Sequence, residues 1–450
     1  MSMLIALAAL TITTADAAPA IDAADTSACD DGIDEAVAAR GGDSARSSAS
    51  FDAPSDGVRL ETLHDSGAPD NRVDIVIIGD GYTASEMDDY ARSADKLVDA
   101  LFNGGNFGAP YNRYPGLINI HRVDLVSAES GIDRYDNDGM TESVDTALNG
   151  YAPCGWSETS GRCVGRLGLI DTDLGAAALD WGLEGTDIEA DWVIVLLNND
   201  GYHNAGQGRF AIVSDGHSYY EDVALHEAAH SWHNLADEYQ YNTDKTFTMS
   251  EPSQRNVTTD ASGAKWSDWL GTSYFGLGTV GAYEGAKYAD YGIYRPTSDS
   301  RMRSVTPKKH NIIAVESIIL DIYDHVDTLV ESHTDNNSLL VDPDIVEVEV
   351  TDPSVLNVTW YLGNLLIGSG ETLDLEMSYL WIDAGEHELT AVVNDATSWV
   401  RADTDRMSTQ ITWTIEISEA NSFGYDPGSW GSGDTCYYNC DNSDGNGWGG

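Results

Sequence analysis

The chain has 450 residues and a formal net charge of −52, from 75 acidic and 23 basic side chains. A negative field of this size repels nucleic acids and anionic membrane surfaces, so the composition excludes functions that need DNA or RNA binding. The length allows two or three domains, each large enough to bury a core.

The N-terminus predicts export. Residues 1–20 contain an apolar stretch followed by Ala15-Asp16-Ala17, a small-residue cleavage site, and so resemble a signal peptide. They lack Lys and Arg, which leaves a disordered or membrane-associated N-terminus as the alternative. Residues 21–57 are acidic and rich in Ala, Ser and Gly, which predicts a disordered leader or pro-segment. We therefore expect a secreted or extracellular protein, or a periplasmic or cell-surface one, without a transmembrane span.

The expected export also bears on the five cysteines of the chain. An exported protein forms disulfides, so Cys154 and Cys163 could close one loop and Cys436 and Cys440 another, although the sequence leaves the connectivity open. Cys29 lies in the leader. It is either a plain unpaired cysteine or a thiolate that keeps a metalloenzyme latent by occupying its open metal position.

The central region predicts a mixed α/β sheet. The apolar runs 73–78, 117–126, 192–197 and 210–213 indicate strands, and the apolar face of residues 85–102 indicates an amphipathic helix. Calcium is a possible second use for the acidic side chains, but the loop at 133–139 departs from the EF-hand pattern. An EF-hand loop has a glycine at position 6 and a ligand at position 1, so aligning Gly139 with that glycine puts Arg134 in the first ligand position.

Residues 225–239 contain the motif that most clearly indicates a chemical function. They contain His226-Glu227-Ala228-Ala229-His230, the H-E-x-x-H pattern. Residues four apart share one helix face, so His226 and His230 can direct ring nitrogens at a single Zn²⁺ ion. Glu227 lies beside that face, where a carboxylate can take a proton from the attacking water and later deliver it to a leaving amine.

The third zinc ligand stays open at this stage. A catalytic zinc ion has three protein ligands, whereas a structural one usually has four. His233 continues the helical stripe but would crowd His230 between two other ligands. Asp237 can reach back if the helix ends near Asn234, and Glu238 is the rival carboxylate.

The run from His226 to Tyr239 resembles the signature of the M64 family of zinc metallopeptidases, named for immunoglobulin A peptidases. The resemblance continues in Arg-Val-Asp-Ile-Val-Ile-Ile-Gly-Asp-Gly-Tyr at 72–82, Tyr-Gly-Ile-Tyr-Arg-Pro at 291–296 and Ser-Arg-Met-Arg at 300–303. It implies a zincin-like α/β fold, one catalytic zinc and protein or peptide substrates. The related metzincins have a glycine and a third histidine where this chain has His233 and Ala236, so the resemblance leaves the third ligand open.

Four further features have two interpretations each. Tyr294 could donate its phenol to the oxyanion of the tetrahedral intermediate, and Arg295 could bind a substrate carbonyl or carboxylate, or both could be structural. Met302 resembles a methionine turn beneath the zinc ligands, or is an ordinary core residue. The strand at 210–213 could be the edge strand that holds extended substrate, or a core strand.

The aromatic residues of 242–290, among them Trp266 and Trp269, could line substrate subsites or pin a long loop. Residues 311–329 repeat apolar positions at helical spacing and predict a helix that closes the domain.

Beyond residue 335 the pattern changes to short alternating stretches, 345–350, 356–362, 373–375, 388–393 and 411–417, separated by turn residues. They resemble the Ig-like or PKD-like all-β sandwich often appended to secreted hydrolases, with a role in glycan or cell-surface contact or as a spacer. We therefore divide the chain into a signal peptide (1–20), a leader (21–57), a catalytic domain (58–334), an Ig-like sandwich (335–418) and a Gly/Ser/Asp-rich tail (419–450).

The sequence thus predicts a secreted zinc endopeptidase with Glu227 as general base, Tyr294 as a second catalytic residue, and His226, His230 and Asp237 as metal ligands. Two other classes remain open: a non-catalytic adhesion or binding protein with a zincin-like domain, and a zinc amidase that acts on amides in glycans or cell wall.

Overall fold

The computed structural model describes residues 51–55, 57–136, 139–153, 156–157, 162–163, 165–274, 276–304, 309–375 and 382–418. The predicted signal peptide, the predicted tail, Cys29, Cys154, Cys436 and Cys440 lie outside these residues, as does the side chain of Cys163. The predictions of export, latency and disulfide pairing therefore stay predictions.

Packing divides the described chain into two units. The first contains the residues before Val330 together with Thr351–Leu356 and Asn394–Thr409. The second contains Val330–Val350, Asn357–Val393 and the residues from Gln410 onward. The predicted domain limits, 58–334 and 335–418, stay predictions.

The first unit mixes strands and helices, as the sequence predicts. Its described strands are β1 (Leu60–His64), β2 (Val73–Asp80), β3 (Ile118–Val123), β4 (Asp133–Asp136), β5 (Gly139–Glu142), β6 (Tyr151–Ala152), β7 (Trp156–Ser157), β8 (Arg162–Cys163), β9 (Trp192–Leu197), β10 (Asn204–Gln207), β11 (Phe210–Ser214), β12 (Tyr283–Ala286) and β13 (Ala289–Arg295). Its described helices are α1 (Met87–Phe102), α2 (Thr172–Leu183), α3 (Tyr220–Ser231) and α4 (Ile312–Asp324).

Six strands form the main sheet, in the order β1-β3-β2-β9-β11-β10. The inner strands β2, β3, β9 and β11 run parallel, and β1 and β10 pair antiparallel at the two edges. Every residue of the four inner strands is buried. Parallel strands covered on both faces are buried along their whole length, because neither face meets water.

The edge position corrects one expectation. The strand predicted at 210–213 is β11, which pairs with β9 on one side and β10 on the other, so it is not the edge strand. The edge next to helix α3 is β10, whose sequence Asn-Ala-Gly-Gln has no apolar pattern to reveal it.

The helices follow their predicted apolar faces. α1 buries Tyr90, Ala94, Leu97 and Leu101 on one side. α4 is capped by Asn311, whose side chain accepts a hydrogen bond from the Ala314 N–H at 3.1 Å. It ends at Asp324 rather than 329 because His325 leaves helical geometry. None of the helices in the described ranges combines the length and the apolar character needed to cross a bilayer.

The long segment before β12 packs through its aromatic side chains. Trp266 and Trp269 are buried, and their ring N–H groups donate to the Gly281 carbonyl at 2.8 Å and to Glu316 Oε2 at 3.0 Å. Of the two interpretations of these rings, the structure favours the loop-pinning one.

The segment 394–409 contributes to the interior of the first unit. The buried carboxylate of Asp395 accepts hydrogen bonds from Arg113 Nη2 and Tyr114 Oη, each at 2.8 Å, and from Tyr323 Oη at 3.0 Å. The Arg401 and Ala402 N–H groups donate to Glu316 Oε1 at 2.6 and 3.1 Å. This unit therefore includes chain that follows most of the second unit in sequence.

The second unit is all β in the part of the chain that the structure describes. Its strands are β14 (Val330–His333), β15 (Leu340–Val341), β16 (Ile345–Val350), β17 (Leu356–Leu362), β18 (Leu365–Ser369), β19 (Thr372–Asp374), β20 (Gly385–Asp395) and β21 (Ser408–Ile417). They form a three-stranded sheet, β14-β16-β19, and a five-stranded sheet, β15-β21-β20-β17-β18. The predicted stretches 345–350 and 356–362 coincide with β16 and β17.

Candidate metal centre

Helix α3 presents two histidines on one face. Glu221 and Asp222 in its first turn complement the positive end of the helix dipole, and Ala224, Ala228 and Ala229 favour helical backbone. His226 and His230 are one turn apart, with their Nε2 atoms 3.1 Å from each other.

The chain reverses directly after this helix. The helix ends at Ser231, and Asn234 takes a left-handed conformation with φ of 47°. The N–H of Leu235 then returns to the Ala229 carbonyl at 3.0 Å. This reversal brings Asp237 back, so that its Oδ1 lies 3.1 Å from His226 Nε2 and 3.2 Å from His230 Nε2.

Backbone carbonyls fix the orientation of both rings. His226 Nδ1 lies 3.0 Å from the Arg301 carbonyl, and His230 Nδ1 lies 2.7 Å from the Leu235 carbonyl. A carbonyl only accepts, so each Nδ1 carries a hydrogen, and each ring in its neutral form directs a lone pair from Nε2. Asp237 Oδ1 is buried and has no hydrogen-bond donor among the described residues.

With both rings neutral, three acceptor atoms face one another, an arrangement that suits a divalent cation. Zinc bonds to nitrogen and oxygen at about 2.0–2.2 Å, and a tetrahedral arrangement at that radius separates the ligand atoms by about 3.3 Å. The observed separations of 3.1–3.2 Å are close to that value. The residues present fit a zinc ion.

The pKa values of this cluster show the charge it prefers. Burial lowers the pKa of His230, but the facing carboxylate of Asp237 outweighs that effect and raises it to about 9. Burial raises the pKa of Asp237, and the two imidazoles lower it by more, to well below its ordinary value. The cluster thus stabilises positive charge among its ligand atoms, which is what a metal ion supplies.

Glu227 lies beside the three ligand atoms. Ligand atoms of His226, Glu227 and His230 all lie within 4.8 Å of one another. The carboxylate of Glu227 accepts a hydrogen bond from the backbone N–H of Gly206 on β10, and burial raises its pKa. The edge strand and the helix are therefore tied together at this carboxylate.

The other two candidates for third ligand point elsewhere. Glu238 is fully buried and accepts hydrogen bonds from Ser300 Oγ at 2.6 Å, Asn311 Nδ2 at 2.8 Å and Asn256 Nδ2 at 3.0 Å. His233 contacts Tyr111 Oη at 2.8 Å and Asp321 Oδ2 at 2.9 Å, away from the pair of histidines. Of the three candidates, the structure brings only Asp237 to the pair.

Comparison with known families agrees with this geometry. Residues 61–275 match the family model described as IgA peptidase M64. This region belongs to the M64 peptidase family. Membership implies a hydrolase that acts on protein or peptide substrates and suggests a metallopeptidase. No curated protein matches the chain.

Met302 lies under the histidine helix of the M64 region. It is fully buried and packs with Ala229, Leu235 and Ala314. Its carbonyl accepts a hydrogen bond from the Glu238 N–H at 2.7 Å, and the carbonyl of the preceding residue, Arg301, holds His226. The turn thus supports the ligands both by apolar packing and through its backbone.

Tyr294 and Arg295 follow the M64 match along the chain, on β13. The Tyr294 hydroxyl faces Glu284, with its oxygen 3.5 Å from Glu284 Oε1, and the structure does not bring it into contact with the described metal-ligand residues. The buried guanidinium of Arg295 donates to backbone carbonyls, among them those of Glu284 at 2.9 Å and Ser298 at 3.3 Å. Of the two interpretations of Arg295, the structure favours the structural one, because these donors are turned inward.

None of the sequence patterns identified Tyr202, an aromatic residue of the M64 region. The ring of Tyr202 packs against His217 and Tyr219, with centroids 5.2 and 5.9 Å away. Burial raises the pKa of Tyr202, and the charges of Glu227 and Asp237 raise it further, so its hydroxyl lies within electrostatic reach of the site carboxylates. Tyr202 lies in a stretch rich in Gly and Asn, where neither spacing nor periodicity marks it as functional.

Proposed function

We propose that the protein is a secreted zinc endopeptidase in which His226, His230 and Asp237 hold the metal ion and Glu227 is the general base. The observation that carries the proposal is the convergence of three acceptor atoms at 3.1–3.2 Å beside the half-buried carboxylate of Glu227, within a region of the M64 family. Three protein ligands leave a position for water or substrate, as a catalytic zinc requires.

Glu227 would carry the proton transfers. When bound, the zinc ion would polarise the scissile carbonyl and make water more acidic. Glu227 would accept the proton of the attacking water and later donate it to the leaving amine nitrogen. The Gly206 N–H hydrogen bond would hold the carboxylate in one orientation throughout. The predicted oxyanion donor, Tyr294, stays a prediction.

The proposal includes a zincin-like fold for the first unit. An antiparallel edge strand beside the active helix can bind an extended peptide by main-chain hydrogen bonds, and β10 has this position. Backbone recognition reads the substrate's main chain more than its side chains. We therefore expect cleavage of unstructured protein segments rather than of one folded target.

The second unit would be an Ig-like sandwich. Its alternating strand β16 and its buried tryptophans, Trp360 and Trp413, with ring centroids 5.5 Å apart, support a sandwich core. A role in glycan or cell-surface contact is the function we would test first. Secretion rests on the predicted signal peptide.

The test uses the purified full chain. We expect about one zinc per chain by mass spectrometry and cleavage of an unstructured protein such as casein that a chelator abolishes. Glu227→Gln should keep the zinc and lower kcat by at least about 100-fold, because only the general base is lost. Glu221→Gln, the same change in the first turn of the helix, is the matched control.

Near-native cleavage by Glu227→Gln would refute the mechanism. Zinc without cleavage of any protein would point to the binding-protein or amidase class, and absence of zinc from the wild-type protein would refute the site.

A further inference from the structure

The two oxygens of Asp237 face different partners. Oδ1 faces the histidine pair, and Oδ2 accepts a hydrogen bond from the hydroxyl of Tyr288. A carboxylate can bind a metal through one oxygen or through both. Here the second oxygen is already taken by a neutral donor.

Tyr288 comes from the two-residue turn of the hairpin β12–β13. Lys287 and Tyr288 both have left-handed backbones, with φ of 44° and 64°, where glycine or asparagine is usual. A bulky residue in this region is strained and persists only where its surroundings hold it.

Those surroundings tie the turn to the ligand segment. The Lys287 N–H donates to the Asp237 carbonyl and the Tyr288 N–H to the Tyr239 carbonyl, each at 3.0 Å. The Tyr288 ring stacks on Tyr241 at 20° and packs against Tyr239, with both centroids 5.2 Å away. Backbone and ring together hold the hydroxyl against Oδ2.

We propose that Tyr288 is a positioning residue that restricts Asp237 to one-oxygen coordination and so keeps a metal position open for water and substrate. This rests on the zinc peptidase proposed above. If Oδ2 were free, it could turn to the metal and fill the position that catalysis needs. Partners of this kind tune metal sites, and losing them commonly lowers metal affinity about 10- to 100-fold.

The test replaces Tyr288 with Phe, which keeps the ring stack and removes only the hydroxyl. In the cobalt-substituted protein, Tyr288→Phe should show weaker and shifted visible absorption bands, because the freed oxygen raises the coordination number. Its zinc affinity, measured by competition with a chromogenic chelator, should fall by about 10-fold or more. Tyr291→Phe is the matched control, an exposed tyrosine on the same hairpin.

Cobalt spectra of Tyr288→Phe that match those of the wild type and of Tyr291→Phe would overturn the inference. If Tyr288→Phe does not fold, zinc-edge X-ray absorption on the wild-type protein decides, since two-oxygen coordination by the carboxylate there would also overturn it. Asp237→Ala separates this from the proposed function. If the wild type binds zinc, Asp237→Ala loses it and Tyr288→Phe is unchanged, the zinc site stands and the role of Tyr288 falls.

Discussion

Gly206 should be irreplaceable because the active helix packs directly on it. A Cβ added at Gly206 would lie 2.8 Å from the Cβ of His230 and 3.1 Å from Ser231 Oγ. Non-bonded carbons rest at about 3.5–4.0 Å, so strand and helix would have to separate by about 1 Å. The atom displaced first belongs to one of the proposed zinc ligands.

The cost of Gly206→Ala can be bounded from this clash. Overpacking of this kind typically costs about 1–3 kcal/mol, and each kcal/mol lowers the Tm of a domain this large by about 2–4 °C. A shift of about 1 Å at a catalytic group can lower the rate by about 100-fold. We therefore expect a lower Tm and a much lower kcat/KM.

Differential scanning calorimetry and casein cleavage would measure the two effects. Gly281→Ala is the matched control, because its added Cβ would meet nothing nearer than Tyr283 Cε2 at 3.4 Å. If Gly206→Ala had the Tm and the kcat/KM of Gly281→Ala, the helix would not depend on close contact with β10, and the reasoning would fail.

Three further outcomes are expected. Asp80→Ala should lower the free energy of unfolding by about 3 kcal/mol in urea titrations, since it strands a buried hydroxyl and two backbone donors; a loss under 1 kcal/mol would contradict this. Asp237→Ala should lose zinc by mass spectrometry while Glu238→Gln keeps it and is less stable, and the reverse pattern would make Glu238 the ligand. Tyr202→Phe should lower kcat more than Tyr294→Phe does, because the charges of Glu227 and Asp237 reach Tyr202 whereas the Tyr294 hydroxyl faces Glu284; a larger loss of kcat in Tyr294→Phe would instead favour the predicted role of Tyr294.

The inner strands were predictable because each carries its own signal. A strand buried on both faces is a continuous apolar run, and the run at 192–197 coincides with β9. The edge strand β10 lacks such a run. β10 forms a strand because it pairs with β11. This pairing is a tertiary contact that the local sequence of its four residues does not encode.

The candidate metal centre was predictable as far as local geometry reaches. His226, Glu227 and His230 share one helix, so their spacing brings them together. The choice between Asp237 and its neighbour Glu238 depends on the side to which each turns after the reversal at Asn234, and spacing does not determine that.

Tyr202 and Tyr288 approach from other segments of the chain. Their places depend on how the sheet edge and the hairpin β12–β13 pack. No pattern in the sequence around either residue marks it.

The return of Asn394–Thr409 to the first unit bears on how the protein is made. The carboxylate of Asp395 that joins Arg113, Tyr114 and Tyr323 leaves the ribosome only after most of the second unit has been synthesised. The first unit therefore cannot complete its packing until this last segment has been synthesised. A chain that ended near residue 335 would lack Asn394–Thr409 and therefore part of the first unit. A gene fusion with a single junction near residue 335 would for the same reason not transfer the first unit whole.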